Sequence, residues 1–393
     1  MPSMRSALSA SCFAAITAFC SLPAQATWSI VVYDSDTQEV AVGSATCLHD
    51  GQVPGINLVT EIPAIVVGQG AGAAQSLLDA NGQRRQIMRN GILNGDNASV
   101  IRDQLITLPN TGLHQHGIAG AGDTSVSHTG NSNFVHASGT EGRLGSLNYA
   151  IQGNVLAGRE VVTMTEAALL NTAGDLPAKL MAAMEAARDF GGDGRCSCPA
   201  GPDADSCGSP PPNFDKSAHV GFMLVSRFGD SDGSACSAAG CATGDYFMVL
   251  NVAAQPANAP DPVNQLRDQY DTFQQQLENR PDAIQSGVSF NATAGGFLME
   301  INLADWRGID LGTSVNSVSV VHANDSANHT SIGPVQDNGD GSYTVMLSAM
   351  GNGNADDRFV ITIDDGQREV VIPPNRAVLS FPLILEDGFE LIP

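Results

Sequence analysis

Residues 27–34 and 39–46, TWSIVVYD and EVAVGSAT, are two β-rich runs joined by the polar turn Ser35-Asp36-Thr37-Gln38. Branched and aromatic residues flanking a short polar connection form a hairpin, which commits the chain to antiparallel pairing from its first mature residues. A third strand, IPAIVV (62–67), runs into GQGAGAA and then a helical pattern through SLLDANGQRRQIMRNG. A second helix follows from Asn97, a capping residue, to Leu108. Short β segments surround HGIAGAG, TSVSHTG and NFVHASG and lead to LNYAIQGN. Two more helical stretches follow, EVVTMTEAALL and LPAKLMAAMEAARDF, the latter closed by Gly191-Gly192. HVGFMLVSR and DYFMVLNVA then return to strand. This order lacks the regular alternation of a parallel sheet, and it predicts an α+β fold of antiparallel sheets covered by helices.

The Cys/Pro/Gly-rich segment 193–217 reads as a loop, AQPANAPDP (254–262) as a linker, and VNQLRDQYDTFQQQLEN as a polar helix. From about residue 286, GFLMEINL, SVSVVHA, SYTVMLSAM, RFVITIDDG, REVVIPP and AVLSF are short strands at regular spacing, the pattern of a small all-β, immunoglobulin-like sandwich. The expected division is a domain over 27–253, linker and helix over 254–285, and a β-sandwich over 286–393. Asp337-Asn338-Gly339-Asp340-Gly341 invites a calcium-loop reading, but its acids do not fall at alternate positions, so a hairpin turn is expected.

Residues 1–26 read as a signal peptide. Arg5 gives the positive start, Ala7 to Leu22 is an apolar run too short for a membrane span, and Ala24-Gln25-Ala26 is an A-x-A cleavage site. The mature protein is therefore expected in the periplasm or outside the cell, with no membrane span. A balance of 18 basic against 41 acidic residues, −23 overall, disfavours nucleic acid as a partner. Cys12 and Cys20 leave with the signal. Cys47, Cys196, Cys198, Cys207, Cys236 and Cys241 remain, an even count that favours disulfides in an exported chain. Cys236 and Cys241 bracket a small loop and form the natural local pair. A zinc knuckle from Cys196, Cys198 and Cys207 is disfavoured by the C-x-C spacing.

Conventional catalytic motifs are missing: there is no G-x-S-x-G elbow and no G-x-x-x-x-G-K. Gly68-Gln69-Gly70-Ala71-Gly72-Ala73 has a dinucleotide-like outline, but the chain continues as helix where an acid-tipped strand is required, so close backbone packing is expected. His114 and His116 lie near Asp123, His128 and His136; a metal site there competes with the plainer reading of a polar loop edge, and no metal or other cofactor is assigned. His219 stands alone on an apolar strand as a core histidine.

Thr27 follows the cleavage site directly. A threonine hydroxyl needs a base to become a nucleophile. A terminal threonine carries one in its α-amino group, whose pKa is about 7.7–8.0.

The stretch TWSIVVYDSDTQEVAVGSAT resembles the opening of the bacterial family called domain of unknown function 1028. Further matches follow in order: Val67-Gly68-Gln69, Gln115-His116-Gly117, Thr129-Gly130, and Tyr149-Ala150-Ile151-Gln152-Gly153-Asn154-Val155-Leu156-Ala157-Gly158. Pro262-Val263 with Gln265-Leu266-Arg267 resembles the segment closing the family domain, so the resemblance spans about residues 27–270. It implies the N-terminal-nucleophile (Ntn) hydrolase superfamily, a four-layer αββα sandwich, and an amide-bond hydrolase activated by signal removal. On that reading Thr27 is the nucleophile, Asn154 or Gln152 polarises the carbonyl, and Gln69 lines the pocket. The substrate is a small-molecule or peptide amide, and a homo-oligomer or surface partner would engage the C-terminal domain. Two departures stand out. Thr46-Cys47 replaces the family's S-K, so the lysine that helps lower the nucleophile's pKa is missing, with Cys47 expected in a disulfide. The 193–217 and 229–244 segments are additional. A non-catalytic scaffold that keeps the same fold is the alternative.

Overall fold

The computed structural model describes residues 27–77, 79, 81–133, 135–199, 207–233, 236, 240–350 and 355–381. The expected signal peptide and the C-terminal EDGFELIP lie outside them.

The opening hairpin forms in register: β1 (Thr27–Asp34) pairs antiparallel with β2 (Glu39–Thr46) from Trp28↔Ala45 to Asp34↔Glu39. Asp34 Oδ1 accepts from the Asp36 N–H at 3.0 Å, and Gln38 takes a positive φ of 54°, which together turn the chain. A short helix α1 (Leu58–Glu61) and strand β3 (Pro63–Val66) precede β4 (Gly70–Gln75).

β4 corrects the sequence expectation, which carried GQGAGAA towards a helix. Its small residues are demanded by close packing: a Cβ on Gly72 would stand 2.6 Å from Met88 Sδ, and one on Gly70 would stand 2.5 Å from the Ala119 carbonyl. The strand is specified by its neighbours more than by β-propensity. The first long helix accordingly starts later, as α2 (Gln83–Leu93), followed by α3 (Ala98–Leu105). Then come β5 (Gln115–Ala119), β6 (Ser125–Thr129), β7 (Ser138–Leu144) and β8 (Leu147–Asn154).

Helices α4 (Glu160–Asn171) and α5 (Leu176–Asp189) are the expected second pair. Asp175 caps α5 by accepting from the Ala178 N–H at 3.1 Å, with Pro177 in the first turn, where its missing N–H costs nothing. One short helix, α6 (Gly194–Ser197), lies inside the segment expected to be all loop. β9 (Val220–Ser226), β10 (Met248–Val252) and α7 (Pro262–Gln276) follow.

Two antiparallel sheets result, one ordered β10-β9-β2-β1-β8-β7 and the other β3-β4-β5-β6. Alternation along β1 serves both of its faces. Ile30 and Val32 pack among Val161, Leu180 and Met184 of α4 and α5, whereas Val31 and Tyr33 pack against Ile65, Ala71 and Ala73 of the smaller sheet. That sheet's far face, with Val66 and Ala74, is covered by Met88, Ile92, Ile101 and Leu105 of α2 and α3. The fold is thus mixed α/β with several sheets and helices. α7, read from sequence as a polar helix after a linker, buries Val263, Leu266 and Tyr270 in the same core as α4 and α5.

Two further four-stranded sheets follow. One joins β11 (Gly287–Thr293), β12 (Gly296–Asn302), β14 (Thr330–Asp337) and β15 (Ser342–Ala349) in the order β11-β12-β15-β14. The other joins β13 (Ser317–His322), β16 (Asp357–Asp364) and β17 (Glu369–Ile372), with β18 (Val378–Leu379) also on β16. Met299, Ile301, Val345 and Leu347 of the first sheet share a core with Phe359, Ile361 and Ile363 of the second. The Asp337–Gly341 stretch is the turn between β14 and β15, where Asp337 Oδ1 accepts from the Gly339 N–H at 2.8 Å.

Three disulfides pair Cys47 with Cys196, Cys198 with Cys207, and Cys236 with Cys241. The local pair is the expected one, and the three bonds spend every sulfur of the zinc-knuckle alternative. Among the described residues, no helix is long and apolar enough to cross a membrane.

Candidate active site

Thr27 begins the central strand and is 3% exposed. Asn154 of β8 is its partner on one side; on the other, register carries Thr46 of β2 beside it, next after Trp28↔Ala45. At this end the face of β1 and β8 that looks toward the smaller sheet changes from apolar to polar, through Thr27, Ser29, Gln152 and Asn154, all buried. Gln75 and Gln115, paired in register at the ends of β4 and β5, supply the facing polar groups.

These side chains tie the sheets together. Gln75 Nε2 donates to the Thr27 carbonyl at 2.9 Å, to Gln115 Oε1 at 3.0 Å and to the Gln152 carbonyl at 3.3 Å. Asn154 Nδ2 donates to Gln115 Oε1 at 2.9 Å and, more weakly, to the Thr27 carbonyl at 3.4 Å. Gln115 Nε2 donates to the Gly153 carbonyl at 2.8 Å and to Thr129 Oγ1 at 3.0 Å. Three buried amide oxygens, Gln75 Oε1, Gln152 Oε1 and Asn154 Oδ1, accept nothing. Unsatisfied acceptors are rare in protein interiors and mark places where a donor is wanted.

Thr27 also lines a pocket of about 120 Å³, walled by Leu48, Pro54, Ile56, Leu58 and Ile62. A larger, open cavity of about 590 Å³ lies beyond the end of β2, lined by Cys47, Arg195, Cys196, Lys216 and His219 among others. The Cys47–Cys196 bond holds α6 against that strand end. Asp193, fully buried, accepts from the Cys47 N–H at 2.7 Å and pairs with Arg195 at 2.7 Å. Arg195 Nη2 also donates to Thr46 Oγ1 at 3.3 Å. Neither Asp193 nor Arg195 was picked out from the sequence; their signal was an acid and a base two apart, next to a cysteine.

Of the residues expected at the site, Thr27 and Asn154 come together. Gln152 lies two register pairs deeper, against Gly117, and its amide N–H is spent on the Ser29 hydroxyl. Gln69 is not at the site: it is exposed in the turn before β4, whereas Gln75, at the other end of that strand, reaches Thr27. The two glutamines are six residue steps apart along the strand, roughly 20 Å.

The histidines differ from expectation. His114 and His116 are buried, not at a loop edge, and His116 is flanked by His114 and His128 with ring centroids 5.9 and 5.7 Å apart. This stack lies on the opposite face of β5 from Gln115. Burial pulls His114 down to about 4 and His116 well below its ordinary value, with Arg84 adding to both. Asp123 is elsewhere, paired with Arg143 and accepting from Asn148. His219 is half-buried at the open cavity, edge-on to His49 with centroids 5.2 Å apart, and burial pulls it down to about 4. Among the described residues, Cys47, Cys196 and His219 form the one group close enough to ligate a metal, and its sulfurs are in the disulfide.

Residues 27–201 match a family described as "Family of unknown function (DUF1028)". A crystal structure from Silicibacter pomeroyi, titled with the same family, is similar at 14% identity and a TM-score of 0.42, over 63% of this chain and 88% of the other. No curated protein matches the chain.

Proposed function

Starting from a chain whose residues 27–201 belong to the DUF1028 family of unknown function, we propose that it is an exported amidohydrolase whose nucleophile is the terminal Thr27. We read the helix pairs on the outer faces of the two sheets as the four-layer αββα arrangement of Ntn hydrolases, and the C-terminal sheets as an immunoglobulin-like sandwich. The observation that carries the reading is the position of Thr27: buried, at the start of the central strand, and lining a pocket.

Signal peptidase cuts after Ala26 and leaves a free amine on Thr27, in the periplasm or outside the cell. Unpaired amide oxygens of Gln75 and Asn154 sit on side chains that already hold the Thr27 carbonyl, and they offer acceptors for that amine. The amine takes the Oγ1 proton, directly or through one water, as Oγ1 bonds to the substrate carbonyl carbon. An Asn154 N–H that leaves its weak 3.4 Å bond to the Thr27 carbonyl and turns to the resulting oxyanion contributes about 3–4 kcal/mol. The C–N bond then breaks as the proton passes to the leaving amine, and water hydrolyses the Thr27 ester. Gln152 acts in positioning, through Ser29.

The test is intact mass of the exported protein, followed by a β-lactone probe and an amide panel. A chain starting at Thr27, labelled on that residue, with turnover abolished in Thr27→Ala, is expected. The non-catalytic scaffold has one observation in its favour, since the amides nearest Thr27 are largely spent on backbone carbonyls. An inert Thr27 in a correctly cleaved chain would establish it.

A further inference from the structure

The Thr27 pocket and the open cavity are neighbours. Leu48 lines the first and Cys47 the second, so consecutive residues at one strand end divide them. Arg195 marks the boundary, since it lines the cavity and bonds to Thr46, the β2 neighbour of Thr27.

The two spaces differ in chemistry. Aliphatic side chains make up half of the Thr27 pocket's lining, with Asn57, Glu61, Gln75 and Ser76 among the rest, and about 120 Å³ is the volume of roughly four waters, enough for a short acyl chain. The cavity carries two of the chain's 18 basic residues, in a protein with 41 acidic ones. Arg195 is held in place by Asp193. Lys216 donates to the Ala257 carbonyl at 2.7 Å, a neutral partner, and among the described residues no carboxylate lies within ion-pair distance of it. Asp215 is on the rim, exposed, where solvent and salt screen it. His219 is neutral at ordinary pH, because burial and the nearby Lys216 charge oppose its protonation. An anchored guanidinium, an ammonium with no ion-pair partner among the described residues and a neutral imidazole around one open space suit a carboxylate.

We propose that the substrate is an N-acyl amino acid, with a short aliphatic acyl group in the Thr27 pocket and a free carboxylate against Lys216 and Arg195 in the adjoining cavity. The acyl half rests on the hydrolase reading; the carboxylate half does not.

The experiment measures binding to the mature Thr27→Ala protein, which cannot turn substrate over. The probes are N-butyryl-L-alanine and its neutral counterpart N-butyryl-L-alaninamide, titrated calorimetrically at low and high salt. The acid should bind about ten-fold more tightly than the amide, the worth of one charge-assisted hydrogen bond. That preference should shrink with salt, vanish in Lys216→Met and survive in Lys216→Arg. Arg195→Gln should weaken it as well, read alongside thermal melting because Asp193 loses its partner. Equal binding of both probes, no binding of either, or a preference unchanged in Lys216→Met overturns the proposal. Turnover of neutral amides by the wild type, without carboxylate preference, would sink this inference and leave the hydrolase reading standing. A carboxylate preference in a protein that does not label at Thr27 would sink the hydrolase reading and the acyl half with it, and leave the carboxylate half standing.

Discussion

Gln75 is the residue on which the geometry around Thr27 most depends. Its single amide nitrogen reaches the Thr27 carbonyl, Gln115 and the Gln152 carbonyl, joining both sheets at their polar end. Gln75→Ala removes a buried donor and leaves the Thr27 carbonyl with the Asn154 amide as its weaker side-chain donor, a loss of about 1–3 kcal/mol. Chemical denaturation should register that loss; on the proposed mechanism the rate with any working substrate should fall with it, because the strand end that carries Thr27 is no longer fixed. Unchanged stability would mean the amide seam is not formed as described. Thr27 was legible from the expected cleavage site, and Asn154 from the motif YAIQGN that resemblance brought forward. Gln75 was not, because its strand is written in glycine and alanine and its alternation carries no hydrophobic signal. Gln69 drew attention because it stood in a motif, but a motif position says nothing about which end of a strand faces the site.

At the scale of elements, propensity and period predicted α4, α5 and the opening hairpin well, since each has its own caps, turns or alternation. They failed where neighbours decide. β11 and β14, which the sequence reading passed over, are the two edges of their sheet. Edge strands carry polar residues that protect against mispairing, and β14 also contains Gly333-Pro334 at a register shift between Ile332 and Val335. The histidine stack on β5 and β6 is another feature that pairing creates, with His116 opposite His128. Both nitrogens of His116 lack partners, while Arg84 and Arg102 of the covering helices oppose its neighbours' protonation and Asp79 favours that of His114. Native values lie below the unfolded value of 6.5, so the unfolded chain takes up these protons first as pH falls. The associated stability is therefore fully present above about pH 6.5 and is lost as the pH falls from there toward 4. Melting temperature should drop across that window, and His116→Leu should flatten the drop. A profile as steep as the wild type's would place the acid sensitivity elsewhere.

Across the whole molecule, a buried cation stands at the centre of the contacts that join the C-terminal sheets to the rest. Arg227, at the end of β9, pairs with Glu39 at 2.8 Å and Asp282 at 2.7 Å, lies 3.6 Å from Asp175, and sits over the Phe247 ring. Asp282 leads into β11, so the contact connects the opening hairpin to the last third of the chain. Arg280 with Asp365 and Arg368 with Asp230 add partly exposed pairs around it. Nothing in the sequence announces this joint, because its members are 188 and 55 residues apart. Three carboxylates around one guanidinium are overcharged, and burial pushes Glu39 up, against the pull of Arg227. With its native pKa above the unfolded value, Glu39 contributes stability that is present at low pH and lost as the pH rises through the native pKa. Two substitutions separate the roles. Arg227→Met leaves buried carboxylates without a cation and should cost about 3–5 kcal/mol. Glu39→Gln keeps a hydrogen-bond acceptor for Arg227 without the charge. It should be far milder and should remove the decline between about pH 4.5 and 7, where the unfolded chain has lost the Glu39 proton and the native protein still holds it, measured as denaturation midpoints across a pH series. If Glu39→Gln is instead as damaging as Arg227→Met, Glu39 is charged in the native protein, and the joint is held as a full ion network.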